Sequence, residues 1–197
     1  MNNLLEFLKP YKGIIYFVTL TLATHFLWKL AVTGNLRGAE ISIFGIDMTA
    51  QFETLSHWIA GICYFIIKLF PGTDTFTSEG VIMYFTDGEM KIRIIWGCTG
   101  VKQLYIFSTI ILLYSGPVKD KLWYIPCGCV ILWTFNIIRI VAIYFLTRNH
   151  AEWFDFLHEG IFRYVFYGII FLLWVIWEEV YVKKNAQHIK QYSYAST

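Results

Sequence analysis

An arginine, a cysteine and a histidine stand out from an otherwise apolar chain. Arg139 lies inside a long run, Leu122–Leu146, that carries no other charge. A guanidinium within a transmembrane helix costs at least ~2.5–3.5 kcal/mol on insertion scales, so it normally faces a partner or a polar cavity. Asn136, three residues earlier, shares its helix face. The competing reading is an arginine that snorkels to lipid headgroups, although Arg139 sits deeper than most snorkelling residues. Cys98 stands where β-prone residues give way to an apolar helix. A thiol at a helix N-terminus feels the positive end of the dipole, which favours the nucleophilic thiolate. Gly97 and Gly100 keep the backbone open there, and Thr99 offers a hydroxyl. Taken alone, Cys98 is more simply a small buried hydrophobe. His158 closes a polar link and precedes the last apolar run; alone it reads as an interfacial residue, and His25, His57 and His150 are available decoys.

Together the three say more. In alternating topology the start of a third span, the far end of a fourth and the start of a fifth share one membrane face. A thiol, an imidazole and a cation at one depth supply a nucleophile, a general acid/base and a stabiliser for an oxyanion or a substrate carbonyl. That set suffices for acyl transfer.

Membrane helices must position these groups. The 197 residues are 57% hydrophobic and 15% charged, with a mean hydropathy of +0.53. A helix needs about 20 apolar residues to cross a hydrocarbon layer roughly 30 Å thick, and the chain reads as five such segments, at about 13–31, 55–70, 98–114, 122–146 and 161–177. The second is short and can gain a turn from Thr49–Glu53. The expected fold is an all-α polytopic membrane protein, a single membrane domain over residues 1–197. One β signal interrupts it. Val81–Phe85 and Met90–Ile95 flank Thr86-Asp87-Gly88-Glu89, and Asp-Gly between two β-prone runs predicts a hairpin over 81–95. The connection around Arg37–Glu53 and the segment 72–79 read as polar loops. Trp28, Trp58, Trp96, Trp123 and Trp153 fall near the span ends, where an aromatic belt meets the headgroups. No A-x-A-like cleavage site follows the first apolar stretch, so that span is expected to stay in the mature chain.

Several classes are disfavoured. The net charge is only +2 and no dense basic tract exists, so nucleic acid is not expected as a partner. Cys63, Cys98, Cys127 and Cys129 form neither a zinc-ligand spacing nor a disulfide framework. No metal or other cofactor is expected. The His-Glu-x-x-His and Gly-x-Ser-x-Gly elements are absent. A non-catalytic membrane scaffold or a small transporter subunit is the alternative to an enzyme, but the internal symmetry of transporters is missing.

Cys98-Thr99-Gly100, Asn136-Ile137-Ile138-Arg139 and Phe156-Leu157-His158 occur in that order, each at its place relative to a span. In this the chain resembles the exosortase/archaeosortase family of membrane-embedded cysteine transpeptidases, over roughly residues 80–180, and looks like the short Bacteroidetes-type variants. The resemblance implies a plasma-membrane enzyme with an extracytoplasmic active site. Its partners would be the lipid bilayer and exported proteins that end in a recognition motif, a transmembrane helix and a basic tail. It implies Cys98 as the nucleophile that forms a thioester, His158 as the proton carrier, and Arg139 as the group that polarises the carbonyl or positions the thiolate. Thr99, Gly100 and Asn136 would support them. A cell-surface glycan or lipid would accept the acyl group. Lys102 and Gln103 depart from the apolar surroundings expected after the cysteine motif; Lys102 either favours thiolate or snorkels.

An outward site puts Lys119, Lys121 and the tail lysines inside, as the positive-inside rule prefers. Five crossings then leave Lys9 and Lys12 outside. A re-entrant second span, or one paired with a surface segment near 41–54, would relieve that conflict.

Overall fold

In hydrocarbon every backbone amide must bond within its own segment, which leaves helices as the natural form for long apolar runs. A computed structural model describes residues 11–35, 40–70, 75–78, 82–85, 91–148 and 150–184. Its helices are α1 (Lys12–Ala31), α2 (Thr49–Lys68), α3 (Val101–Leu113), α4 (Val118–Thr147) and α5 (Phe156–Lys183), the last with π-helical turns at Phe156–Ile161 and Glu178–Lys183. Three of them, α1, α4 and α5, are long and apolar enough to cross a membrane. The 13-residue α3 is apolar but shorter, about 20 Å of helix.

The second expected span behaves differently. Helix α2 starts at Thr49 and carries Gln51, Glu53, Ser56 and His57 in its first half. Its buried residues Phe52, Ser56, Ile59, Ala60, Cys63 and Ile67 recur at helical spacing along one stripe, and that stripe packs on Ile137, Ile140, Ile143 and Tyr144 of α4. By contrast α1, apolar all round, buries only Phe17 and Thr24, as a lipid-facing helix does.

Helices α1, α3, α4 and α5 run alternately up and down. Near one end Tyr16 donates to the Leu113 carbonyl at 3.3 Å and Tyr124 to that of Leu173 at 2.6 Å. Towards the other, Trp28 packs on Tyr105, His25 meets the Tyr167 hydroxyl at 3.2 Å, and Phe135 sits edge-on to Phe166. Their core holds Phe17, Phe107, Ile110, Leu132, Ile170 and Trp174. At Gly128 of α4 an added Cβ would stand 2.2 Å from Phe107 Cζ, so these helices approach more closely than any larger residue allows. The α3–α4 corner is closed by Lys121, whose ammonium donates to the carbonyls of Leu112 and Tyr114, the last acceptors of α3.

Both ends of α2 lie at the opposite end from that corner. Its start follows β3, with Met48 N–H bonded to Ile41 O at 3.0 Å, and Phe70 just past its end packs edge-on to Phe145 near the end of α4.

Two small antiparallel sheets complete this end. Strands β1 (Val32–Asn35), β2 (Glu40–Ile43) and β3 (Ile46–Asp47) form the first, with Val32 opposite Ile43 and Ser42 opposite Asp47. This region was expected to be a polar connection. Its turn explains the difference: Phe44 and Gly45 both have positive φ, 50° and 79°, the requirement of a two-residue type I′ loop, but a phenylalanine in first place gives none of the usual signal. Strands β4 (Thr75–Ser78), β5 (Ile82–Phe85) and β6 (Lys91–Arg93) form the second, with Tyr84 opposite Lys91 and Ile82 opposite Arg93. The two expected hairpin strands therefore pair, and β4, read as loop, adds a third. The Asp87-Gly88 turn lies outside the described residues.

Candidate active site

From β6 the chain passes through Ile94 and Ile95 into a single 3₁₀ turn, Trp96–Cys98. The Cys98 amide donates to Ile95 O at 2.7 Å, and the Thr99 amide to Trp96 O at 3.2 Å. The Thr99 side chain, 1% exposed, donates to the same Trp96 carbonyl at 2.7 Å. Gly100 then takes left-handed geometry, φ 78°, and caps α3; its carbonyl accepts from the amides of Gln103 and Leu104. The third helix thus begins three residues later than expected, and Cys98 sits on the tight turn that leads into it.

Asn136 of α4 fixes this turn from the side. Fully buried, it donates Nδ2–H to the Cys98 carbonyl at 2.7 Å. A Cβ at position 100 would stand 3.2 Å from Asn136 Cγ, so glycine there answers both the backbone conformation and the close approach.

One helical turn further along α4, Arg139 is 6% exposed. Its Nη2 lies 3.5 Å from the His158 carbonyl oxygen, a long contact, and its guanidinium lies over the Phe166 ring, 5.7 Å from the centroid, at cation–π range. Nε has no hydrogen-bond partner among the described residues, and no described carboxylate pairs with the guanidinium. His158 belongs to the first π-helical turn of α5, a distortion frequent at functional sites. Its ring stacks on Phe154, centroids 5.2 Å apart and planes 9° from parallel.

Cys98, Arg139 and His158 line one pocket of about 190 Å³. Its walls are otherwise Ile92, Ile94 and Ile95 after and within the second sheet, Ile140 and Ile143 of α4, and Phe154, with Arg93 at one side. Local sequence does not signal these apolar wall residues, because Ile92, Ile94 and Ile95 meet Ile140, Ile143 and Phe154 only through the tertiary packing of the second sheet, α4 and the segment before α5. Cys63 of α2, 0% exposed, belongs to the same apolar cluster against which Cys98 packs. Lys102 does not enter this pocket; it lines a separate cavity with His25, Lys29 and Arg163.

An apolar chamber holding a thiol, a half-buried imidazole and a buried guanidinium with no carboxylate partner among the described residues suits chemistry in which an anion forms transiently. No curated protein matches the chain, and no solved structure does. The family model for transmembrane exosortases (Exosortase_EpsH) matches residues 13–176, most of the chain, and the protein therefore belongs to the transmembrane exosortase family.

Proposed function

We propose that the protein cleaves C-terminal sorting signals of exported proteins at Cys98 and transfers the resulting acyl group to a cell-surface acceptor. Membership of the exosortase family implies a membrane protein-sorting transpeptidase, and members are generally cysteine enzymes. The observation that carries the assignment to these residues is the shared pocket of Cys98, Arg139 and His158.

The Cys98 thiolate attacks the scissile carbonyl carbon, forming the C–S bond and placing negative charge on the carbonyl oxygen. Arg139 faces that charge. No carboxylate among the described residues pairs with this guanidinium, and a contact with the oxyanion that strengthens as the charge develops is the condition for differential transition-state binding. Collapse of the adduct breaks the C–N bond, and imidazolium at His158 gives its proton to the leaving amine. The thioester is then attacked by an amine or hydroxyl of a surface glycan or lipid; His158 accepts the nucleophile's proton and the C–S bond breaks, restoring the thiolate. Thr99, Gly100 and Asn136 hold the nucleophile's turn.

The substrate would present its motif at the sheet-bearing end and its own helix against the bundle. The alternating order of α1, α3, α4 and α5, with both ends of α2 at the site end, supports four crossings rather than five, in one membrane domain. The start of α1 and the end of α5 then face the cytoplasm, with Lys12 on the side of Lys119 and Lys121, and the active site faces outward. Separate Cys98→Ala, Arg139→Ala and His158→Ala variants, followed for C-terminal processing of a substrate in cells, test the assignment; full processing by Cys98→Ala rules it out.

A further inference from the structure

The pocket shared by Cys98, Arg139 and His158 has a volume of about 190 Å³, below the ~300–1,000 Å³ of sites that take a whole small ligand. An extended peptide motif or a sugar does not fit inside it; one side chain does. Its apolar wall comes from three places: Ile92, Ile94 and Ile95 in and after β6, Ile140 and Ile143 on α4, and Phe154 ahead of α5. We infer that this wall selects the substrate, and that the residue whose carbonyl Cys98 attacks carries a compact apolar side chain, of valine or leucine size, seated among Ile94, Ile140 and Ile143. The inference rests on the reading of Cys98 as the nucleophile and adds the class of bond that is cut.

The first argument is geometric. Cys98 and Arg139 line the same pocket, so a carbonyl carbon within reach of the sulfur, with its oxygen toward the guanidinium, lies in that pocket too. The neighbouring Cα is one bond away, and its side chain enters the same space. The surfaces open to it there are chiefly isoleucine.

The second argument is the build of the wall. Ile92 and Ile94 are buried while Arg93 between them is exposed, the two-residue period of extended chain. On α4, Asn136, Arg139, Ile140 and Ile143 fall on one buried stripe. The residue that fixes the catalytic turn, the cation and the wall are thus one face of one helix. Ile94 is 1% exposed and Ile143 3%, and branching at Cβ leaves isoleucine few rotamers. Packed walls of this kind hold their shape, and one methylene more or less in a hydrophobic pocket changes specificity roughly 10–200-fold.

The third argument is exclusion. A lysine side chain here would bring an ammonium out of water and beside Arg139. A carboxylate would pair with Arg139 and occupy the donor that the oxyanion needs. A tryptophan would have to push aside packed, β-branched walls.

The full chain, purified in detergent, is treated with N-acetyl amino-acid chloromethyl ketones bearing valine, leucine, tryptophan, aspartate or lysine side chains. Each presents a ketone in place of the scissile carbonyl; the thiolate displaces chloride to form a thioether, located at Cys98 by peptide mass spectrometry. Each rate is divided by that of the same reagent with free glutathione. The valine and leucine reagents should then modify Cys98 at least about tenfold faster than the other three. Ile143→Ala should raise the ratio of tryptophan to valine rates about tenfold, and the milder Ile143→Val should shift it in the same direction. A ratio taken within one protein does not depend on how much of it is folded. Equal normalised rates for all five reagents, preference for a charged one, or a ratio unmoved by both Ile143 variants overturns the inference while the nucleophile reading stands. If no reagent modifies Cys98, the nucleophile reading falls and the inference with it.

Discussion

The side-chain amide of Asn136 donates to the main-chain carbonyl of Cys98 across 2.7 Å, joining the middle of α4 to the turn that presents the thiol. Buried side-chain amides cost free energy unless they bond, and this bond is made only when the 3₁₀ turn and α4 take up their observed relation. Two motifs that lie 38 residues apart are thereby one structural unit.

Breaking that unit should disable the site before it unfolds the bundle. Asn136→Ala leaves the Cys98 carbonyl without its donor, at a cost of ~1–3 kcal/mol. Gly100→Ala forces an L side chain into left-handed geometry, ~1–2 kcal/mol, while crowding Asn136. Each variant should reach wild-type membrane abundance and retain less than a tenth of substrate processing, measured by immunoblot of substrate and product. Wild-type processing by either would show that the turn is not held this way.

Arg139 should not tolerate lysine. A compact ammonium on a flexible stem cannot reproduce a fork that reaches the His158 carbonyl while lying over Phe166. Loss of one oxyanion-type donor costs about 10²–10³-fold in rate. Arg139→Lys and Arg139→Ala should therefore fall by similar factors in single-turnover cleavage of a purified substrate. A lysine variant within a few-fold of wild type would point to a snorkelling role.

The membrane arrangement can be read with impermeant maleimide in intact cells. Phe44, 82% exposed on the β2–β3 turn, should be labelled from outside as Phe44→Cys. The exposed Lys119 of the α3–α4 corner should be labelled as Lys119→Cys only after permeabilisation. Labelling of both, or of Lys119→Cys alone, contradicts the four-crossing topology.

Packing at Gly128 gives a stability prediction that is separate from the chemistry. With Phe107 Cζ at 2.2 Å from a hypothetical Cβ, Gly128→Ala should destabilise the detergent-solubilised protein by ~1–3 kcal/mol, read as a lowered Tm. Adding Phe107→Leu should recover part of the loss. An unchanged Tm for Gly128→Ala would mean that α3 and α4 stand further apart.

What the sequence made legible followed from strong local signals. An apolar run that carries one arginine has few structural options, so α4 and the burial of Arg139 could be foreseen, as could pairing of the strands on either side of Asp87-Gly88. The β2–β3 turn was hidden because Phe44 occupies a position where asparagine or glycine would announce it. Helix α2 is read as a span because its apolar stripe resembles membrane sequence, while Gln51, Glu53 and His57 place polar groups only in its first half. The place of Lys102 depended on which helix face met which neighbour. Spacing along one chain does not encode that; the approach of His25, Lys29 and Arg163 from other helices does.

The most direct test is to look for the acyl-enzyme. A purified substrate is incubated with the protein, quenched in acid, and digested for mass spectrometry of the peptide carrying Cys98. A hydroxylamine-labile adduct is expected on Cys98, equal in mass to the substrate segment upstream of the cleaved bond and missing from Cys98→Ala. Processing without any adduct there, or with the adduct on another residue, contradicts it.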